Sequence, residues 1–167
     1  MQAIQGRMKY LRNAEGFCAF FLPLVFWLDW RKSVDPVAWD LRIAATVAMS
    51  YILLQGALYW HLKLQAFTLH QPLPVWFQPL YKFFKYSNVI AIAAVLGLVA
   101  SRYAAVTGED LGWAACVMAL VVAEQINYYH YRLMYDTRGA FAYLRRHGRL
   151  RVAALALDLK RSQNNSA

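Results

Sequence analysis

The chain has 167 residues, 60% of them hydrophobic, 16% aromatic and only 16% charged, with mean hydropathy +0.29 and a formal net charge of +9. A soluble domain is about 45–50% apolar and about 25% charged, so this composition excludes water as the main solvent, and the length suits one compact unit without a second domain. Cys18 and Cys116 sit in separate apolar runs with no CxxC or CxxH spacing, which argues against a redox motif or a structural zinc site; they read as small apolar residues of the interior.

The chain opens with a short basic lead, 1–13, holding Arg7, Lys9 and Arg12. The first apolar run, Gly16 to Leu28, is short for a spanning helix. It ends in Trp27-Leu28-Asp29-Trp30-Arg31-Lys32, without a small-residue cleavage site, so an uncleaved helix is expected here in place of a cleaved signal peptide. Trp27 and Trp30 suit an aromatic belt, and Pro23 gives a kink that packed helices tolerate. A first spanning helix over about 14–30 is expected.

A polar connection with a turn at Asp35-Pro36 leads to the second helix, about 43–62, which carries no charge. Gln55-Gly56 in its middle lets a neighbour approach closely and hydrogen-bond. The stretch 63–86 contains Pro72, Pro74 and Pro79, and interleaves Trp76, Phe77, Tyr81, Phe83 and Phe84 with Lys82 and Lys85. It reads as a connection lying at the membrane interface.

The third helix is expected over about 87–106, with Ala93, Gly97 and Ser101 forming a ridge of small residues that permits close helix contact. Thr107-Gly108-Glu109-Asp110 reads as a tight acidic turn into a fourth helix over about 111–132. Ala115, Ala119 and Ala123 repeat the small-residue ridge there. Glu124, Asn127, Tyr128 and Tyr131 share one helical face beside it. Glu124 lies about 20 Å along that helix at 1.5 Å per residue, well inside a hydrocarbon core of about 30 Å. An ionisable group at such depth is a candidate functional residue by default.

The tail, 137–167, supplies Phe141, Leu144, Val152, Leu155 and Leu159 along one helical stripe. Arg138, Arg145, Arg146, Arg149, Arg151 and Lys160 surround that stripe with charge. It is expected to be a basic amphipathic helix that either caps the helices or lies on anionic lipid head groups through Arg145, Arg146, Arg149 and Arg151. No nucleic-acid motif accompanies the charge, so nucleic acid is not an expected partner.

With four spans, the lead, the middle connection and the segment from Arg132 onward hold fourteen Lys and Arg, against four in the two opposite connections. Basic residues mark the cytoplasmic side. The expectation is an all-α protein of the plasma or bacterial inner membrane, both termini cytoplasmic, with a four-span domain over 1–136 arranged as a bundle.

Three chemistries compete for the polar residues. In the first, Glu124, Asn127, Tyr128 and Tyr131, with Gln55, form a ligand or ion site: a carboxylate in a low-dielectric interior either stays protonated or finds a cation or basic partner. In the second, His61 and His130, at similar depth on two helices, hold a b-type haem or a metal; no other cofactor is indicated, and no dedicated metal motif exists. In the third, Glu124 or His130 is the acid–base group of an intramembrane enzyme acting on a lipid-like substrate, although no catalytic motif accompanies them. Against all three stands a structural reading in which a protonated or hydrogen-bonded Glu124 only ties helices together; among the three chemistries the first is preferred. It makes the chain a non-enzymatic membrane subunit, a homo-oligomer or part of a larger membrane complex, that binds or conducts a small species or anchors a partner.

Overall fold

The computed structural model describes residues 2–33, 36–134 and 138–164, with the side chains of 138–140 and 162–164 left aside. Asp35 of the expected turn, the side chains of Arg138 and Ser162, and the polar end 165–167 fall outside the described residues. Six helices follow in order: α1 (Gln2–Trp30), α2 (Trp39–Leu69), α3 (Phe77–Arg102), α4 (Gly108–Tyr129), α5 (Arg138–His147) and α6 (Ala154–Asn164). The first four are long and apolar enough to cross a membrane.

α2 is the common partner, packing against α1, α3 and α4, while α6 returns to touch α3 and α4. Its buried residues, among them Met49, Ile52, Leu53 and Tyr59, point to several neighbours at once. By contrast α1 exposes Phe17, Phe20, Phe21 and Leu24, and α3 exposes Val89, Ile90 and Leu96. The buried set meanwhile includes Arg42, Gln55, Asn88, Asp110 and Gln125. Extensive apolar surface outside and polar pairs inside reverse the usual preference of a soluble domain.

Every long helix has ends other than those set by its apolar run. α1 begins at Gln2 rather than near residue 14, because the lead is built of helix formers with no Pro, and it continues through Pro23. α2 runs on to Leu69, where His70 adopts left-handed φ of 53° and its amide, with that of Gln71, bonds the Ala66 carbonyl. The interfacial connection expected over 63–86 is therefore confined to 70–76. Pro79 lies in the first turn of α3, where a missing N–H costs no helical bond, so the helix starts at Phe77. Phe77 and Tyr81 are then fully buried instead of lying at a surface.

α3 ends at Arg102, short of the expected 106. The acidic turn is in fact the start of α4: the Thr107 hydroxyl accepts from the Asp110 amide at 3.2 Å and donates to the Asp110 carboxylate at 2.8 Å. Thr107 thus serves as an N-cap, and Glu109 and Asp110 put negative charge at the helix N-terminus, where it is favoured. Both small-residue ridges face outward: Ala93, Gly97 and Ser101 are exposed, as are Ala115 and Ala119. The packed face of α4 is instead Ala114, Val117, Met118, Val121, Gln125 and Tyr128. Small residues permit close approach without compelling it.

The tail is not one amphipathic helix. α4 stops at Tyr129, and the chain forms a single antiparallel bridge between Tyr131 and Val152, with Arg132 N–H bonding the Arg151 carbonyl at 2.8 Å. Gly148 turns the chain at φ of 61° between α5 and α6, a conformation natural to glycine. The expected stripe is divided accordingly: Leu155 is buried, whereas Phe141 and Val152 are exposed.

Candidate functional site

Three helices bring their polar residues to one level. At 1.5 Å per residue, Glu15 lies about 22 Å from the Trp30 end of α1, Gly56 about 26 Å from the start of α2, and Glu124 about 24 Å from the start of α4. There the two glutamates meet around Tyr128, one helical turn beyond Glu124, with the Tyr128 hydroxyl in interaction range of both carboxyls. Gly56 makes this meeting possible. A Cβ at that position would run into Glu15 Oε2 and into the hydroxyl and ring of Tyr128.

Each carboxyl is held from one side. The Trp60 indole N–H donates to Glu15 Oε1 at 3.0 Å, and the Asn127 amide donates to Glu124 Oε2 at 3.1 Å. Glu15 Oε2 and the Tyr128 hydroxyl are buried, and neither completes a hydrogen bond of ordinary geometry; Tyr128 as a whole is only 4% exposed. Orphaned buried polar atoms are rare and call for a reason. Here both residues line a cavity of about 480 Å³, within the range of small-molecule sites. Its walls are mainly apolar or aromatic, including Leu11, Cys18, Leu53, Tyr59 and Trp60, with Arg7 and Arg132 also on its lining.

One wall is supplied by the tail. Ala154 and Leu155 line the cavity, and α6 is fastened to α2 through Asp158, which accepts from Lys63 Nζ at 2.6 Å and from the Tyr59 hydroxyl at 2.7 Å. Lys63 Nζ also donates to the Tyr59 oxygen at 2.8 Å. This triad is partly buried.

Two further polar groups flank the site without entering it. Asn88 exchanges hydrogen bonds with Gln55 at 2.8 and 2.9 Å and donates to Gln125 at 2.9 Å. The Tyr81 hydroxyl takes the Gln55 carbonyl at 2.9 Å. These amides tie α2, α3 and α4 together and largely satisfy one another. At the Trp30 end, Arg42 and Asp110, 2% and 1% exposed, pair at 2.6 Å. Glu109 takes a second guanidinium nitrogen of Arg42 at 3.1 Å, and Trp30 and Trp113 lie 5.4 and 5.9 Å from its cation. A desolvated pair of this kind depends on such extra bonds, and here one guanidinium nitrogen, Nη1, is buried without a hydrogen-bond partner among the described residues.

Of the residues expected to act together, Glu124, Asn127 and Tyr128 meet at the cavity. Tyr131 lies beyond the end of α4 and is exposed, because the helix stops one turn early. Gln55 faces the amide cluster. His61 is half-buried and His130 exposed as the C-cap of α4, and neither lines the cavity. Among the described residues no group of three or more His, Cys, Asp or Glu could hold a metal. Arg145, Arg146, Arg149 and Arg151 are exposed, Arg151 lying over the Tyr143 ring at 4.0 Å. Glu15 and Trp60 were not anticipated as site residues. The signal for Glu15 was available in the lead: continuing α1 back through it puts Glu15 in mid-helix, at the depth of Glu124.

With its oxygens oriented from behind, the carboxyl pair can accept hydrogen bonds, hold a cation or pass a proton. Comparison with known protein families, curated proteins and solved structures finds no match for this chain.

Proposed function

We propose that the chain is a four-span membrane protein, its spans bundled around α2 and both termini in the cytoplasm of a plasma or bacterial inner membrane, which binds a small amphipathic molecule in the cavity between α1, α2 and α4. The observation that carries this proposal is the cavity itself, where Glu15 and Glu124 converge on Tyr128 with two polar atoms unsatisfied. Binding is favoured over conduction, because toward the Trp30 end the interior is filled by Arg42, Asp110, Trp30 and other buried side chains. The basic asymmetry of the connections supports the orientation. The exposed arginines of the tail suit anionic head groups, and the outward small-residue ridges of α3 and α4 suit a second copy of the chain or a subunit of a larger complex.

The test is native mass spectrometry and an absorbance scan on the purified full-length protein, wild type against Glu124→Gln. A small-molecule adduct retained by wild type and lost in the variant, at unchanged circular dichroism and oligomer mass, is the expected result. No adduct in either, with a phenylalkyl series also failing to bind, would overturn the cavity assignment. A Soret band would instead favour haem held through His61 and His130.

The carboxyl pair favours one second reading, an intramembrane acid–base enzyme in which Glu15 and Glu124 exchange a proton with a lipid-like substrate. Conversion of the retained adduct by wild type, and its accumulation unchanged in Glu124→Gln, would establish that role in place of simple binding.

A further inference from the structure

From the cavity assigned above, we infer that its ligand is a lipophilic amine, bound as the cation, with the ammonium between Glu15 and Glu124 and the hydrocarbon part along the apolar wall. The inference rests on that binding assignment and adds the sign and chemistry of the ligand's polar end.

Four observations support it. First, two carboxyl groups from different helices face one largely apolar cavity, and like charges so placed resist ionising together unless a cation joins them. Between the two carboxyls a monocation offsets one of those charges, while an anionic head group would add a third; Arg7 and Arg132 lie on the same lining and have contacts of their own with Met134.

Second, the atoms left over are mostly acceptors. Trp60 and Asn127 already donate to one oxygen of each carboxyl. Glu15 Oε2 and the Tyr128 hydroxyl oxygen, the latter on a side chain that is almost wholly buried, meet one another beside Gly56 and have no further donor among the described residues. A primary ammonium brings three N–H donors and no acceptor. It can therefore serve the two carboxyls and Tyr128 at once, leaving the Tyr128 proton to a carboxyl. A ligand hydroxyl brings a single donor and would leave acceptors without partners.

Third, Tyr10, Tyr59 and Trp60 line the same space. Aromatic faces stabilise a desolvated cation, tryptophan most strongly. Fourth, the donor set is poor for a metal ion: calcium takes six to eight oxygens, and among the described residues no cluster of three metal-ligating side chains exists. The largely apolar lining points the same way, since a bare ion gains nothing from Leu11, Leu53 and Leu155.

The experiment uses the full-length protein in nanodiscs of zwitterionic lipid and three probes of one skeleton: 4-phenylbutylamine, 4-phenylbutanol and 4-phenylbutyrate. Binding is followed by calorimetry and by tryptophan fluorescence, which senses Trp60 in the cavity wall. The amine should bind at least about ten-fold more tightly than the alcohol, a difference of about 1.4 kcal/mol, and the carboxylate should bind least. Glu15→Gln and Glu124→Gln should each remove the preference of amine over alcohol, at circular dichroism and oligomer mass unchanged from wild type, which shows that the variants are folded. Tyr128→Phe should weaken the amine without restoring the carboxylate. If amine and alcohol bind equally to wild type, the inference is overturned and the cavity assignment stands. Should none of the three bind, both are overturned. An amine preference that survives in both Gln variants overturns the placement between the glutamates.

Discussion

Replacing Gly56 by Ala sets two effects of opposite sign against each other. In a helix interior Ala is favoured over Gly by about 1 kcal/mol, so propensity alone makes the variant more stable. The new methyl, however, must occupy space taken by Glu15 Oε2 and by the ring end of Tyr128. The carboxylate can swing into the cavity, but the Tyr128 ring is buried and has no comparable freedom. Overpacking of this kind costs about 1–3 kcal/mol, which leaves a net loss of roughly 0–2 kcal/mol. Gly97→Ala supplies the reference, since its Cβ would meet nothing within 4 Å and it should gain up to about 1 kcal/mol. The two variants should therefore differ by about 1–3 kcal/mol in reversible unfolding by SDS in mixed micelles, followed by circular dichroism. Equal stabilities would refute the claim that Gly56 is the place where Glu15 and Tyr128 converge.

Arg42→Met should destabilise by about 3–5 kcal/mol by leaving the Asp110 carboxylate buried without its cation. Arg102→Met, whose exposed partner is Asp40 at 2.6 Å, should cost under about 1 kcal/mol in the same assay; similar losses would show that Arg42 is not desolvated. Asn88→Ala removes three amide bonds and should cost about 3 kcal/mol at roughly 1 per bond, whereas Ser101→Ala should stay within about 0.5. Asp158→Asn should raise amide exchange across α6 and leave α3 unchanged; equal protection in both would remove the Lys63–Tyr59–Asp158 contact as what fastens the tail. Replacing Arg145, Arg146, Arg149 and Arg151 with Gln should lower the anionic lipid retained by the purified protein, and added salt should mimic the change; retention unaffected by either would exclude electrostatic recognition.

The candidate spans were legible because hydropathy over twenty residues is a coarse demand, met by α2 almost without interruption. Their ends were not, because an apolar run stops where polar residues begin, while a helix stops where its backbone is capped. His70 and Thr107 cap, but Pro79 does not interrupt, and only the turn position distinguishes a Pro that breaks a helix from one that begins it. Glu124 with Asn127 and Tyr128 followed from spacing alone, since one helix face fixes them relative to one another. Glu15 required knowing that the basic lead belongs to α1. The outward turn of Ala115 and Ala119 shows a further limit: period identifies which residues share a face, while the competition between faces depends on the shapes of the neighbours.

The closure of the cavity by α6 bears on how the protein is made. Asp158 lies 95 residues from its partner Lys63, and Leu155 completes a wall whose other parts come from α1, α2 and α4. Helices α1 to α4 can pair as they leave the ribosome, but the cavity acquires its last wall only after the segment around Ala153–Asp158 has been synthesised and has folded back. Until then Glu15 and Glu124 lack that wall, so a molecule held against it can enter during assembly as well as after it.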